Sequence, residues 1–225
     1  MELCQLDQVY LHDLKEYNKI LMQRNKLLKQ ISFQPSLEDT LDIWDMQLLQ
    51  YGESIIKRRS QFIEEIGETV TKVNENLTGN KEHLQMLYEP DVTIDEFENK
   101  LNNYRERDKK LFSTSVGPHR DDLCFMNKDI DIRKYGSQGQ QRTCALSLKL
   151  AEIEIVKNMT GDSPVLLLDD VLSELDRNRQ NYLLDSIHDI QTIITCTGIE
   201  EFIDSRLTLD RIFRIKEGTV FIEKE

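Results

Sequence analysis

Hydrophobic residues in the first half of the chain recur every three or four positions, the period of one face of an α-helix. The first stripe contains Tyr10, Leu14, Tyr17, Leu21, Leu28 and Ile31. Arg24 is the one residue that interrupts this stripe. The second stripe runs from Leu41 to Leu77 with a single seven-residue interval, and about 40 helical residues would extend about 60 Å. Together the two stripes predict an antiparallel helical arm.

Helix-breaking residues divide this half into segments. Pro35 ends the first predicted helix, Ser36 with Asp39 suits the N-cap of the second, and Gly79 closes it. His83–Pro90 alternates enough for a short strand near residues 83–89, and a third helical stripe begins at Ile94. Residues 1–112 are therefore predicted to form a helical lobe.

After residue 112 the pattern changes to short apolar runs separated by helices. Strands are predicted at Asp122–Met126, Asp129–Arg133, Pro164–Asp170, Gln191–Thr197, Arg211–Ile215 and Thr219–Glu223. Helices are predicted near residues 140–158, 174–188 and 199–205. The continuous apolar run Val165–Leu168 favours a strand covered on both faces. The fold class is therefore α/β plus α, with residues 113–225 as the α/β part.

The net charge of −12 is shared evenly, because each half has six more acidic than basic residues. This argues against a general nucleic-acid-binding protein but allows a local basic patch. Lys57–Arg59 and Arg105–Lys110 are the candidates for DNA contact, and a solvated helix face is the alternative. The four cysteines form no C-x-x-C pair and no long apolar run occurs, which predicts a cytoplasmic protein without a membrane segment.

Two adjacent carboxylates follow the predicted strand at residues 164–170. Ligands bind at the carboxyl ends of strands in open α/β sheets, and Mg²⁺ prefers oxygen ligands. Neighbouring strand residues point in opposite directions, so Asp169 and Asp170 are expected to differ in role. One carboxylate would bind the metal while the other orients water. The alternative is a strand end that simply reaches solvent.

The segment YGSQGQQRT, Tyr135–Thr143, precedes a long helical pattern. The hydroxyl of Ser137 can donate a hydrogen bond, and Gly139 would let an oxyanion approach the amides at the positive end of the helix. An ordinary capping turn is the alternative. The apolar face of this helix is predicted to contain Ala145, Leu148, Ala151, Ile155 and Met159.

Taken together, these segments resemble the C-terminal half of an ABC/SMC-type ATPase head. Ser137–Gln140 resembles the signature motif, Val165–Asp170 the Walker B motif and Ser173–Asp176 the D-loop. Gln191–Thr197 resembles the switch strand, with Thr197 where many relatives have histidine.

The sequence resembles one branch of these ATPases more closely. Val116–Leu123, Tyr135–Thr143, Leu166–Asp176 and Tyr10–Gln30 resemble the RecF family of bacterial recombination mediators, so the resemblance covers nearly the whole chain. It implies an SMC-like head with a short antiparallel helical lobe, weak ATPase activity and ATP-dependent homodimerisation. It also implies DNA binding at gapped or single-strand/double-strand junctions, RecA loading with RecR and RecO, support of the SOS response and a nucleoid-associated location.

The resemblance also implies roles for residues on one side of the nucleotide. Asp169 would bind Mg²⁺ beside ATP, Asp170 would act catalytically by orienting the attacking water, and Thr197 would sense the γ-phosphate.

Other residues would act on the opposite subunit. Ser137, Gly139 and Gln140 would contact the γ-phosphate of ATP bound to that subunit. Asp176 would lie across the dimer interface.

The major departure is the phosphate-binding loop, because none of the nine glycines begins G-x-x-x-x-G-K-[ST]. We therefore expect that these 225 residues alone do not hydrolyse ATP. Two alternatives are a non-catalytic DNA- or protein-binding module and another short-armed SMC-like ATPase, and Gly117–Asp122 argues against the second. The roles of His119 and Arg120 stay open.

Overall fold

The computed structural model describes residues 3–197 and 210–223. The helices are α1 Leu3–Leu6, α2 Gln8–Ile31, α3 Leu41–Thr78, α4 Ile94–Leu111, α5 Ile132–Tyr135, α6 Gln138–Thr160 and α7 Arg177–Ser186. The strands are β1 Leu84–Glu89, β2 Asp122–Asn127, β3 Ile130–Asp131, β4 Leu166–Asp169, β5 Thr192–Thr195, β6 Ile212–Lys216 and β7 Thr219–Glu223.

Helices α2 and α3 form the predicted antiparallel arm. Asp7 caps α2 by accepting hydrogen bonds from the amides of Val9 and Tyr10, both at 2.9 Å. Tyr10 at the start of α2 bonds to Arg59 of α3, whereas Arg24 near its end bonds to Asp45. The helices therefore run in opposite directions. Their buried apolar stripes, with α4 across them, make the largest core of the lobe.

The connection between these helices differs from the prediction. Pro35–Thr40 forms a 3-10 turn, and α3 begins only at Leu41. Pro35 lies at the first position of that turn, so the turn forms there in place of an α-helix capped by Ser36. At the other end, Gly79 ends α3 in the left-handed conformation, with φ of 60°, as predicted.

Strands β1, β2 and β3 form an antiparallel sheet that packs on α3. The strand predicted over residues 129–133 is wrong beyond Asp131. The Asp131 side chain accepts from the amides of Arg133 at 3.0 Å and Lys134 at 3.3 Å, which starts α5 instead. Since β1 pairs with β2, the sheet joins segments on both sides of residue 112, and the division at that residue stays a proposal.

A second core joins α3, α6, β4 and α7. It contains Val73, Leu77, Leu146, Leu150, Leu168, Leu172, Leu175, Leu183, Leu184 and Ile187. Strands β4 and β5 pair in parallel, and these helices cover one face of the pair. The prediction that β4 is covered on both faces is wrong here, because Leu168 is buried whereas Leu167 is 69% exposed and the neighbouring Ile193 57% exposed.

The apolar face predicted for α6 is correct in part. Ala151 and Ile155 are buried, but Ala145 and Met159 are exposed. The buried face includes Ser147 instead, because its hydroxyl accepts from Asn74 of α3 at 3.2 Å.

The final described strands, β6 and β7, lie where two strands were predicted, and they pair as an antiparallel hairpin. The helix predicted at residues 199–205 lies outside the described residues. Among the helices that the structure describes, none is long and apolar enough to cross a membrane.

Candidate active site

Asp169 ends β4 directly beside Thr195, which ends β5. Parallel pairing places these two residues in register, and the Thr195 hydroxyl donates a hydrogen bond to the Asp169 carboxylate. Asp169 is exposed, so one side of the carboxylate is oriented by the protein while the group remains accessible. Thr195 was not predicted as a site residue. Its signal was a polar side chain ending an otherwise apolar strand.

Asp170 leaves the strand in a left-handed backbone conformation, with φ of 52°. Its amide donates to the Thr195 carbonyl at 3.0 Å and to the Thr195 hydroxyl at 3.2 Å. Its carbonyl accepts from the Ser173 hydroxyl at 2.8 Å. Such a conformation costs a non-glycine residue about 1–3 kcal/mol and is typical of functional sites. These bonds hold the Asp170 backbone at the carboxyl edge of the sheet, and its side chain is exposed there.

Thr197 lies two residues after β5 and is exposed. Within residues 3–197 and 210–223, no hydrogen bond connects it to Asp169 or Asp170. Asp176 is the N-cap of α7, where its carboxylate accepts from the amides of Asn178 at 3.0 Å and Arg179 at 3.1 Å. In this chain Asp176 therefore shapes the turn after β4, and its role across an interface stays a prediction.

Ser137 and Gln140 form a capping box at the start of α6. The Ser137 hydroxyl oxygen accepts from the Gln140 amide at 3.3 Å, and the Gln140 side-chain carbonyl accepts from the Ser137 amide at 2.9 Å. Gly139 lies between them, exposed, and a Cβ built there would meet no atom within 4 Å. The fold therefore does not need glycine at this position. No described hydrogen bond joins this turn to Asp169 or Asp170.

Residues beside the capping box fix the turn from the other side. The Gln141 side-chain amide donates to the carbonyls of Ile132 and Arg133, both at 3.2 Å. Arg133 forms two parallel hydrogen bonds of 2.8 Å with Asp122 in β2, which lower the pKa of Asp122 to about 2. The turn is thus attached to the sheet. The sequence did not indicate this role of Arg133, because its partner Asp122 lies on another element.

The Gly117–Asp122 segment attaches the sheet to the helical lobe. Arg59 donates to the Pro118 carbonyl at 2.6 Å and to the Asp121 carboxylate at 2.7 Å. The Tyr17 hydroxyl lies 2.8 Å from Nδ1 of His119, and Nε2 of His119 lies 3.1 Å from the Thr114 carbonyl. Desolvation lowers the pKa of His119, which favours the neutral ring. Because the Thr114 carbonyl can only accept, Nε2 donates to it and Nδ1 accepts from the Tyr17 hydroxyl. These hydrogen bonds hold the segment against α2 and α3.

The predicted basic clusters are largely engaged by carboxylates. Arg58 pairs with Asp7, and Arg59 pairs with Asp121. In the second cluster, Arg105 pairs with both Asp42 and Asp45 at 2.7 and 2.6 Å, and Lys109 pairs with Glu38 and Glu106 at 2.8 and 2.5 Å. Most of these pairs join elements of the lobe, whereas Arg59 joins α3 to Asp121 and the Lys109–Glu106 pair lies within α4. The sequence did not reveal them because most partners lie on other elements.

The potential metal ligands of the described residues are dispersed and do not form a cluster. Across residues 3–197 and 210–223, no three histidine, cysteine or acidic side chains are grouped as a metal site. Two exposed carboxylates at a strand end nevertheless fit Mg²⁺, which uses one or two carboxylates together with water and nucleotide phosphates. The arrangement can orient water and a hydrated cation at one strand edge, and can accept an anion at the start of α6.

No family model matches the chain. A DNA replication and repair protein RecF of Lachnoclostridium phytofermentans is 59% identical over 220 residues, covering 98% of this chain and 61% of the relative. One of Lachnospira eligens is 58% identical over 225 residues, covering 99% and 62%. The chain thus spans about three-fifths of the length of these curated relatives.

A solved structure of the recombination mediator protein RecF with ATP, in the RecFOR pathway, has the same fold. It aligns with a TM-score of 0.86 and 38% identity, covering 99% of this chain and 61% of the solved one. The predicted fold class, part of an ABC/SMC-type ATPase head with an attached helical lobe, is confirmed. The chain belongs to the RecF family of DNA replication and repair proteins.

Proposed function

We propose that this chain supplies the signature half of a composite ATP site in a DNA repair ATPase. Gly139 is the observation that carries the proposal. It lies in the first turn of a 23-residue helix, is exposed, and has no neighbour that a methyl group would touch. A glycine that the fold does not require is explained if another molecule approaches the backbone there.

The start of α6 has the chemistry for a terminal phosphate. Helix N-termini attract anions through their amide groups and the helix dipole. The capping box uses the Ser137 oxygen as an acceptor, so its hydroxyl proton remains for a phosphate oxygen. We assign Ser137, Gly139 and Gln140 to the γ-phosphate of ATP on an opposite subunit, with Asp176 at that dimer interface.

The strand edge would serve ATP bound to its own subunit. Asp169, oriented by Thr195, would hold Mg²⁺, and the bound ion would supply charge neutralisation for the phosphates. Asp170 would orient the attacking water and accept its proton. Thr197 would contact the γ-phosphate from the end of β5. No described hydrogen bond joins the α6 turn to the strand edge, which agrees with assigning the turn and the edge to ATP on different subunits.

The family supports a proposal for the biological role. The two relatives compared above are DNA replication and repair proteins, and the solved relative belongs to the RecFOR pathway. We infer a homodimer that acts in the cytoplasm, at the nucleoid, on single-strand/double-strand DNA junctions. It would assist RecA loading with RecR and RecO and support the SOS response. The 225 residues contain no phosphate-binding loop and would not hydrolyse ATP alone.

Replacing Gly139 with alanine separates fold from function. No contact opposes the methyl group, so the free energy of unfolding of this chain should stay the same or rise by up to about 1 kcal/mol. In a protein of the relatives' full length that contains these residues, ATP-dependent dimerisation should weaken at least about tenfold, since a terminal phosphate would lose close approach. Urea unfolding and sedimentation with ATP measure the two effects.

Gly67→Ala is the matched control. Gly67 is also a helical glycine, and a Cβ there would lie 3.5 Å from the Met86 carbonyl oxygen, an ordinary contact. This variant should dimerise normally. Normal ATP-dependent dimerisation of Gly139→Ala would contradict the assignment of the α6 turn to a phosphate.

A further inference from the structure

The outward face of α2 carries only basic and neutral polar groups apart from a few apolar side chains. Its exposed residues are Gln8, Val9, His12, Lys15, Asn18, Lys19, Met22, Gln23, Lys26, Lys29 and Gln30. Its two acidic residues do not belong to that set. Asp13 is buried and accepts from the Ser54 hydroxyl at 2.6 Å, and Glu16 is half-buried, 3.3 Å from Lys19.

The four exposed lysines lie on one line. At about 100° per residue, Lys15, Lys19, Lys26 and Lys29 fall within an arc of about 80°. At about 1.5 Å per residue they extend about 21 Å along the helix axis. The buried face, with Tyr10, Tyr17, Arg24 and Leu28, lies on the opposite side. We call Lys15, Lys19, Lys26 and Lys29 the α2 lysine row.

These lysines are not engaged as the other basic clusters are. Lys15, Lys26 and Lys29 have no ion pair among the described residues, and Lys19 has only the exposed pair with Glu16. Surface pairs of that kind contribute about 0–1 kcal/mol and are easily exchanged. The row therefore retains its positive charge for a ligand.

Because the chain is acidic overall, it could bind a polyanion only through a local positive surface such as this row. A net charge of −12 repels nucleic acid at long range, so any contact needs a local positive surface. Charges on the exposed faces of α3 and α4 are mixed in sign. Of the three long lobe helices, α2 is the one whose exposed charges are all positive.

We propose that the α2 lysine row binds the phosphate backbone of duplex DNA. The proposal rests on the function proposed above and places one DNA contact of that function on the helical lobe. Duplex DNA presents about one negative charge per 1.7 Å of axis, so a straight row of about 21 Å can meet several phosphates. The flanking Asn18, Gln23 and Gln30 add side-chain donors of the kind that contact phosphates.

The composition of the face favours duplex DNA over other acidic ligands. A protein interface has a desolvated apolar centre with aromatic anchors, whereas only Met22 lies among these lysines. Single-stranded DNA is held by aromatic side chains that stack on bases, and no exposed aromatic residue lies within the row. Contact with phosphates alone does not depend on the base sequence, so the α2 lysine row would bind duplex DNA of any sequence.

The test compares two triple variants of this chain. Lys15→Gln, Lys26→Gln and Lys29→Gln together neutralise the row. Lys72→Gln, Lys81→Gln and Lys157→Gln together make the same charge change at exposed lysines outside α2 and outside the two basic clusters. Circular dichroism checks that both variants are folded. Fluorescence anisotropy then measures binding to a labelled 25-base-pair duplex of mixed sequence between about 50 and 200 mM salt.

The row variant should bind the duplex at least about tenfold more weakly, and the slope of log affinity against log salt should fall by about 2–3. The control variant should remain within about twofold of the unmodified chain. Binding to poly-glutamate is measured in parallel with the same proteins.

Three outcomes would overturn the proposal. Equal losses in the two variants would show a general charge effect. An unchanged duplex affinity with weakened poly-glutamate binding would assign the row to an acidic protein. No duplex binding by the unmodified chain at about 50 mM salt would remove the row as a DNA contact. None of these outcomes changes the ATP-dependent dimerisation expected to depend on Gly139, so the two proposals fail separately.

Discussion

Replacing Arg24 with alanine should lower the free energy of unfolding of this chain by about 3–5 kcal/mol. Arg24 is fully buried and holds three helices together. Its Nε donates to Asp45 of α3 at 2.6 Å, and its Nη1 donates to Asp108 of α4 at 2.7 Å. The same Nη1 lies 2.9 Å from the Thr114 hydroxyl. Without the guanidinium, the buried Asp108 loses its ion pair and the buried Asp45 keeps only the one with Arg105.

The control is Lys26→Ala, which removes the same charge from the exposed face of the same helix and should change stability by less than about 0.5 kcal/mol. Arg24→Met combined with Asp45→Asn and Asp108→Asn should recover part of the loss, because it leaves no unpaired buried charge. The measurement is the midpoint of urea unfolding. A loss below about 1 kcal/mol for Arg24→Ala would show that the buried network is not a major support of the lobe.

Replacing Asp170 with asparagine should lower single-turnover ATP hydrolysis at least about 100-fold in a protein of the relatives' full length that contains these residues. Asparagine keeps the size of the side chain but cannot accept a proton from water. Asp170 is exposed at the strand edge, so the change costs the fold little. ATP binding should persist, since the phosphates are held elsewhere.

Asp162→Asn is the control, because Asp162 is an exposed carboxylate in the loop before β4 and has no proposed role. Its hydrolysis rate should match that of the unmodified protein. Hydrolysis by Asp170→Asn within about threefold of the unmodified rate would remove Asp170 as the general base.

The helices and most strands could be predicted from the sequence because their periodicity is local. The limits appear where a contact joins distant residues. The apolar run at Val165–Leu168 does not indicate which face of β4 is covered, and the structure covers only one. Thr195 became a site residue through the register of two strands. Arg58, Arg59 and Arg105 carry charges that the sequence assigns to a surface, whereas tertiary ion pairs engage them.

The candidate site also contains local features that the sequence predicts and tertiary features that it does not. Ser137, Gly139 and Gln140 were predictable as a helix start, because the capping box depends on a spacing of three residues. The strained backbone of Asp170 and the link from Arg133 to Asp122 were not, since both depend on neighbours brought together by folding. We assign these two groups to ATP bound on opposite subunits of one dimer.

Mixed dimers distinguish this assignment from one in which both groups act in the same subunit. One full-length protein containing these residues carries Ser137→Arg, which blocks the α6 turn, and another carries Asp170→Asn. Each alone should be inactive. If the groups act across subunits, a mixed dimer has one intact site, and an equal mixture should recover about a quarter of the unmodified single-turnover hydrolysis. A mixture no more active than either variant alone would show that Ser137 and Asp170 act in the same subunit, and would overturn their assignment to opposite subunits.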